Sequence, residues 1–231
     1  MQGGCVRGGG ATSPDLAREC ALVERGYRAV AGVDEAGCGA WAGPLVAAAV
    51  VLPMPEGGGG ALLAELAGVR DSKTLDRARR ERLLPIIERV ARGIGVGWVG
   101  AAELDAIGLG VANRLAWQRA LAALPFAPDY LLLDAFRLPA SPLPQEPIVR
   151  GDLHCLSIAA ASIVAKVSRD HALVALDARF PAYGFGRHKG YGTTAHHAAL
   201  RLHGSCPEHR HSFAPLRALA APVAPAGSSE R

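Results

Sequence analysis

The sequence has no CxxC pair: Cys5, Cys20, Cys38, Cys155 and Cys206 are odd in number and scattered, which argues against a disulfide framework and for a reducing cytoplasm. It has no apolar run near the roughly 18 residues that a membrane helix needs, and no apolar segment after its N-terminal basic residue that would read as a leader. A soluble, unexported chain is expected. It has no strong excess of either charge, with 25 basic against 21 acidic residues and a net charge of +4; a polyanion partner is permitted but not demanded. Aromatics are few, at 5%, while half of the 231 residues are hydrophobic, enough for one substantial core.

No internal repeat and no inter-domain linker is evident. Residues 1–14 are glycine-rich and residues 221–231 are rich in alanine, proline and serine, so both ends are expected to lack stable order; 15–220 should form the single domain. The glycine run at 57–60 reads as a strand-to-helix loop. Short β-branched runs at 27–34 and 44–52 flank a glycine-rich turn and predict a hairpin; 93–99 and 130–134 add two strands. Helical periodicity marks 75–92, with a kink expected at Pro85, then 111–124, 157–178 and 193–203. The order predicts an α/β domain with a mixed central sheet flanked by helices and a C-terminal helical segment.

Acids stand where these strands end. The run Ala29-Val30-Ala31-Gly32-Val33 leads into Asp34-Glu35 and a turn containing Gly37, Cys38 and Gly39. The run Tyr130-Leu131-Leu132-Leu133 ends in Asp134, and Asp152 precedes the helix at 157–178. A single strand-end pair is as often a solvated turn as a site. Repetition changes this, because clustered carboxylates repel unless cations neutralise them. Hard ions such as Mg²⁺ or Mn²⁺ take oxygen ligands of this kind. Neighbouring strand residues face opposite sides, so Asp34 and Glu35 share a site only if the chain bends beyond them.

The segment from Gly32-Val33-Asp34-Glu35-Ala36-Gly37-Cys38-Gly39 to Gly43-Pro44 resembles the signature of the ribonuclease HII family. Further blocks follow in family order: Asp71-Ser72-Lys73-Thr74-Leu75, Leu132-Leu133-Asp134-Ala135, Gly151-Asp152, the helix from Ser157 through Lys166 to Asp170, and His188-Lys189-Gly190-Tyr191-Gly192-Thr193. The resemblance covers about residues 27–219. It implies a ribonuclease H-like fold and an endonuclease that cuts RNA in RNA/DNA hybrids and cuts 5′ to ribonucleotides embedded in DNA. It implies ligation of two Mn²⁺ or Mg²⁺ ions by Asp34, Glu35, Asp134 and Asp152, a cytoplasmic monomer, and a place in ribonucleotide excision repair and DNA replication.

The resemblance also implies that Tyr191 meets the sugar at an RNA–DNA junction, and that the backbone of Gly37, Cys38 and Gly39 helps read the 2′-hydroxyl. Cys38 departs from the arginine usual there, so one phosphate contact is expected to be missing. Ser72 and Lys73, at a helix start, suit a phosphate if helix amides are free. Asp170 reads as a helix-surface ion-pair partner. The Gly95-Val96-Gly97-Trp98-Val99-Gly100 match to GxGxxG lacks the distal acid of a dinucleotide site and reads as close strand packing. His203, Cys206, His209 and His211 lack a standard zinc spacing. An actin-like or sugar-kinase ATPase is the alternative from another class; it needs a second glycine-rich phosphate loop, which Asp134-Ala135-Phe136 does not supply. A type 3 ribonuclease H is longer before the position of Tyr27.

Overall fold

The computed structural model describes residues 13–53 and 59–220. The expectations for 1–14 and 221–231 fall outside the described residues except at Ser13 and Pro14, and the run at 57–60 is described only from Gly59.

Five strands form one sheet in the order β3-β2-β1-β4-β5: β1 Val30–Ala36, β2 Leu45–Val51, β3 Gly93–Val99, β4 Tyr130–Asp134 and β5 Gln145–Ile148. The antiparallel β1–β2 pair is the expected hairpin, and β3 continues it antiparallel. The chain then crosses over, so that β4 pairs with β1, and β5 with β4, in parallel. The sheet is therefore mixed. Every residue of β2 is buried, and its two sets of alternate side chains enter different cores. Ala47 and Ala49 join Val33, Leu131 and Trp117 on one face, whereas Ala48 and Val50 join Ala160 and Ile163 on the other. An uninterrupted apolar run is what a strand covered on both faces requires, and each fully buried Val, Leu or Ile stabilises by about 1.5–3 kcal/mol.

The first face is covered by α5 (Leu109–Ala122), the second by α6 (Leu156–Arg179). A Cβ on Gly95 would lie 2.0 Å from the Ala120 carbonyl oxygen, and one on Gly97 would lie 2.0 Å from that of Ala116. These glycines let α5 approach β3, which accounts for the GxGxxG match by packing alone. The helix expected at 75–92 is α3, Arg77–Val90; Asp76 caps it, with Oδ1 accepting from the Arg79 amide at 2.8 Å, and the helix runs on past Pro85.

Other elements carry no such pattern. The short α1 (Ala17–Glu24), α2 (Gly60–Glu65) and α4 (Ala101–Ile107) have little periodic signal, and β5 contains Pro147, tolerable because β5 is an edge strand. The helix α1 nonetheless matters to the site: fully buried Glu19 accepts from the Ser157 amide at 3.0 Å and from its hydroxyl at 2.6 Å. A carboxylate from one helix thus caps the N-terminus of another, where the helix dipole favours negative charge. Beyond α6 lie α7 (Phe185–His188), α8 (Thr194–His203) and α9 (Ala214–Ala220), the expected C-terminal helical segment. No helix among the described residues is long and apolar enough to cross a membrane, and no disulfide joins the described cysteines.

Candidate metal and nucleic-acid site

In the parallel β1–β4 pair Val33 stands opposite Leu133, so Asp34 and Asp134 are one step further along two adjacent strands and share a face. Asp152 follows β5 on a 3₁₀ turn, Gly151–Leu153, that enters α6. The turn is tied to the sheet by the Gly151 amide, which donates to Asp134 Oδ1 at 2.8 Å. Carboxylate oxygens of Asp34, Asp134 and Asp152 all lie within 4.8 Å of one another, the one such group of metal-ligating side chains among the described residues.

The charges in this group are poorly compensated. Burial, with the charges of Glu35 and Asp134, raises Asp34 well above the usual carboxylate range, although its Oδ1 accepts from the Glu35 amide at 2.7 Å. Burial also raises Asp134. Burial and the charges of Asp134 and Asp71 push Asp152 up to about 6. Three oxygen-bearing groups that resist ionisation together are the donor set a hard divalent cation satisfies, so the residues fit the expected metal.

Glu35 does not join these three. Strand alternation turns it to the α5 face, where Oε2 accepts from Trp117 Nε1 at 2.9 Å and Oε1 accepts from the Cys38 thiol at 3.4 Å. Cys38 is half-buried, and burial plus the charge of Glu35 push its thiol up to about 12; it is neutral and a poor metal ligand for hard ions.

A cleft of about 530 Å³ is lined by Glu35, the turn Gly37, Cys38 and Gly39, then Ser72, Lys73, Lys166 and Tyr191. Lys73 Nζ reaches to 3.8 Å from Asp152 Oδ2; burial opposes its protonation, but the charges of Asp34, Asp152, Asp71 and Asp134 prevail and raise its pKa. The amides expected to be free are occupied: Ser72 N–H donates to Ser162 Oγ at 3.2 Å and Lys73 N–H to Asp71 Oδ1 at 2.8 Å. The helix start therefore has neither of these amides free, and the Lys73 side chain is the group this loop extends toward the acids. Lys166 lines the cleft and pairs with Asp170 at 2.7 Å; Arg80 is 3.5 Å away. The ion pair expected of Asp170 is present, but packing of α3 on α6 buries it rather than leaving it on the surface.

Two fully buried arginines hold the turn. Arg210 donates to the carbonyls of Gly37 at 2.6 Å and Gly43 at 2.9 and 3.0 Å, while Arg169 donates to those of Ala42, Pro44 and Lys189 at 2.9–3.1 Å. Gly37 has φ 101°, and a Cβ there would meet Arg169 Nε at 2.1 Å, so this position demands glycine twice over. The Arg169 guanidinium lies 5.3 Å from the Tyr191 ring centroid and Lys166 Nζ 5.5 Å. Behind Tyr191, His196 Nδ1 donates to the Tyr191 carbonyl at 3.0 Å, and His209 Nε2 lies 3.1 Å from His196 Nε2 and accepts at Nδ1 from the Cys206 amide at 2.9 Å. His209 and Cys206 are thus members of a hydrogen-bonded support. Nothing in sequence spacing points to Arg169, Arg210 or His196, whose partners are mostly distant carbonyls.

The family model described as ribonuclease HII matches residues 31–216. The chain belongs to the ribonuclease HII family. Among its relatives is the ribonuclease HII of Chloroflexus aggregans, 54% identical over 205 residues that cover 88% of this chain and 95% of that protein. The crystal structure of ribonuclease H2 from Pyrococcus horikoshii is similar with a TM-score of 0.68 and 25% identity, over 83% of this chain and 96% of that one. A structure of Bst-RNase HIII in complex with Mn²⁺ shares the fold at a TM-score of 0.60 and 22% identity, covering 87% and 71%. Membership removes the ATPase alternative, in keeping with the absence of glycine at 135–136.

Proposed function

We propose that this ribonuclease HII family member is an endonuclease, acting as a monomer, that hydrolyses the RNA strand of RNA/DNA hybrids and cuts 5′ to ribonucleotides embedded in duplex DNA. It would leave 3′-hydroxyl and 5′-phosphate ends. The observation that carries this reading is the convergence of Asp34, Asp134 and Asp152 beside a cleft lined by the glycine turn, Lys73 and Tyr191.

Asp34, Asp134 and Asp152 would hold the divalent ions, Mn²⁺ or Mg²⁺, and Glu35, the fourth acid of the proposed site, would border them while held by Trp117 and Cys38. Bound metal supplies an activated water and charge stabilisation at the leaving oxygen. The chain's own residues position the substrate. Lys73 meets a phosphate oxygen as a cation. The Cys38 and Gly39 amides have no acceptor among the described residues, which leaves them open to a 2′-hydroxyl, the group that separates RNA from DNA. Tyr191, 36% exposed, offers its ring to the sugar. Ser72 and Ser162 fix the loop that carries Lys73.

The test is cleavage of a DNA duplex carrying one ribonucleotide. Asp34→Asn and Asp134→Asn should each reduce cleavage to background while the circular dichroism spectrum stays native; full activity in either variant sinks the assignment. Success on long hybrids with failure on the single ribonucleotide would point to another ribonuclease H type.

A further inference from the structure

A second cavity, of about 560 Å³, opens on the other side of Glu35 and Cys38. It shares those two residues with the catalytic cleft, so the two spaces adjoin at Glu35 and Cys38. Leu109 and Phe136 line it, 38% and 61% exposed. Arg114 and Arg137 are exposed on its rim, and neither guanidinium has an ion pair or hydrogen bond among the described residues. An exposed aromatic beside two uncommitted cations, bordering a cleft built for phosphodiester chemistry, calls for an occupant with an apolar face and a negative charge.

We infer that this cavity binds the sugar-phosphate backbone of the cleaved strand where it continues past the scissile phosphate on the side away from Tyr191, with Arg114 and Arg137 contacting phosphate and Phe136 contacting sugar. The inference rests on the proposed function and extends it to the flank of the substrate. It also gives the Cys38 turn a physical context. The turn carries no cation of its own at position 38, since the half-buried thiol is neutral. Arg114 and Arg137, lining the same cavity as Cys38, restore positive charge to that border. Tyr191 lines the cleft and not this cavity, while Glu35 and Cys38 border both, so a strand running from Tyr191 past the turn would meet this cavity beyond those two residues. Electrostatics favour the same occupant: Glu35 is the cavity's one acid, and its oxygens are taken by Trp117 and Cys38.

The experiment measures equilibrium binding of a fluorescent duplex with one embedded ribonucleotide, without divalent metal so that no cutting occurs, across a salt series. Each phosphate contact contributes about 0.9 to the slope of log affinity against log salt, or roughly a threefold affinity loss between 50 and 200 mM. Arg114→Ala and Arg137→Ala should each lower the slope by about that amount. Phe136→Ala should weaken binding roughly threefold with the slope unchanged, as loss of an uncharged contact requires. The decisive control shortens the duplex from either end: truncation on one side, and one side only, should erase the difference between wild type and each variant. Unchanged slopes, or differences that persist with both flanks removed, overturn the inference. A wild type that fails to bind the full-length duplex overturns instead the reading on which it rests, and shows this before any substitution is made.

Discussion

Cys38 is the residue at which this chain parts from the motif it otherwise carries, and its surroundings define what the change costs. Its carbonyl lies 3.3 Å from Arg210, and its thiol faces Glu35, so the backbone of the turn is fixed without help from side chain 38. Restoring a cation should therefore change affinity more than chemistry. In Cys38→Arg, the salt slope of binding to the single-ribonucleotide duplex should steepen by about 0.9, the increment of one phosphate contact, with kcat within about twofold of wild type. A kcat loss with no change in slope would show that the thiol supports Glu35 instead. Four acids, the turn, Lys73 and Tyr191 are legible in the amino-acid sequence, because each sits in a short local motif. The separation of Glu35 from the three aspartates follows from strand alternation, but the partner that holds it, Trp117, lies 82 residues away and leaves no local trace.

Among the elements, those buried on both faces announce themselves. The strands β1 to β4 and the long α6 are continuous or periodic apolar runs, and their positions in sequence follow from that burial. The edge strand β5 does not, because Gln145, Glu146 and Pro147 are partly exposed and look like loop. The support behind Tyr191 is equally hidden: His188, His196 and His209 belong to three separate segments, and only packing brings the first two into a stack at 4.3 Å and the last two within 3.1 Å. Burial pushes His196 and His209 down to about 4 from an ordinary 6.5. In this pH range the unfolded chain binds more protons than the folded one, so the stability these residues contribute is complete above about pH 6.5 and is lost as pH falls toward 4. The loss should reach about 3 kcal/mol for each histidine at the acid end. Metal-free melting temperature should fall between pH 6.5 and 5, and His196→Asn should shrink that fall. An equal fall in the variant would place the acid sensitivity elsewhere.

At the scale of the whole molecule the acids pull in the opposite direction. Asp34, Asp134 and Asp152 have raised pKa values in the folded state, so folding favours their protonated forms. Their unfavourable effect is absent below about pH 3.8 and grows as pH rises through about 6 for Asp152. Without metal, the histidine support loses stability toward acid and the acidic site loses it toward neutrality. A divalent ion binding the folded state relieves only the second, by mass action. Asp152→Asn should therefore raise the metal-free melting temperature at pH 7.5 by about 2–4 °C, the shift expected for on the order of 1 kcal/mol in a domain of this size. At pH 4 the gain should disappear. Saturating Mn²⁺ should stabilise wild type more than the variant and close the gap at pH 7.5. Differential scanning fluorimetry with and without chelator reads all three comparisons. A variant less stable than wild type at pH 7.5 without metal would mean that Asp152 serves the fold through Lys73, and that the three acids are not the strained metal site their geometry describes.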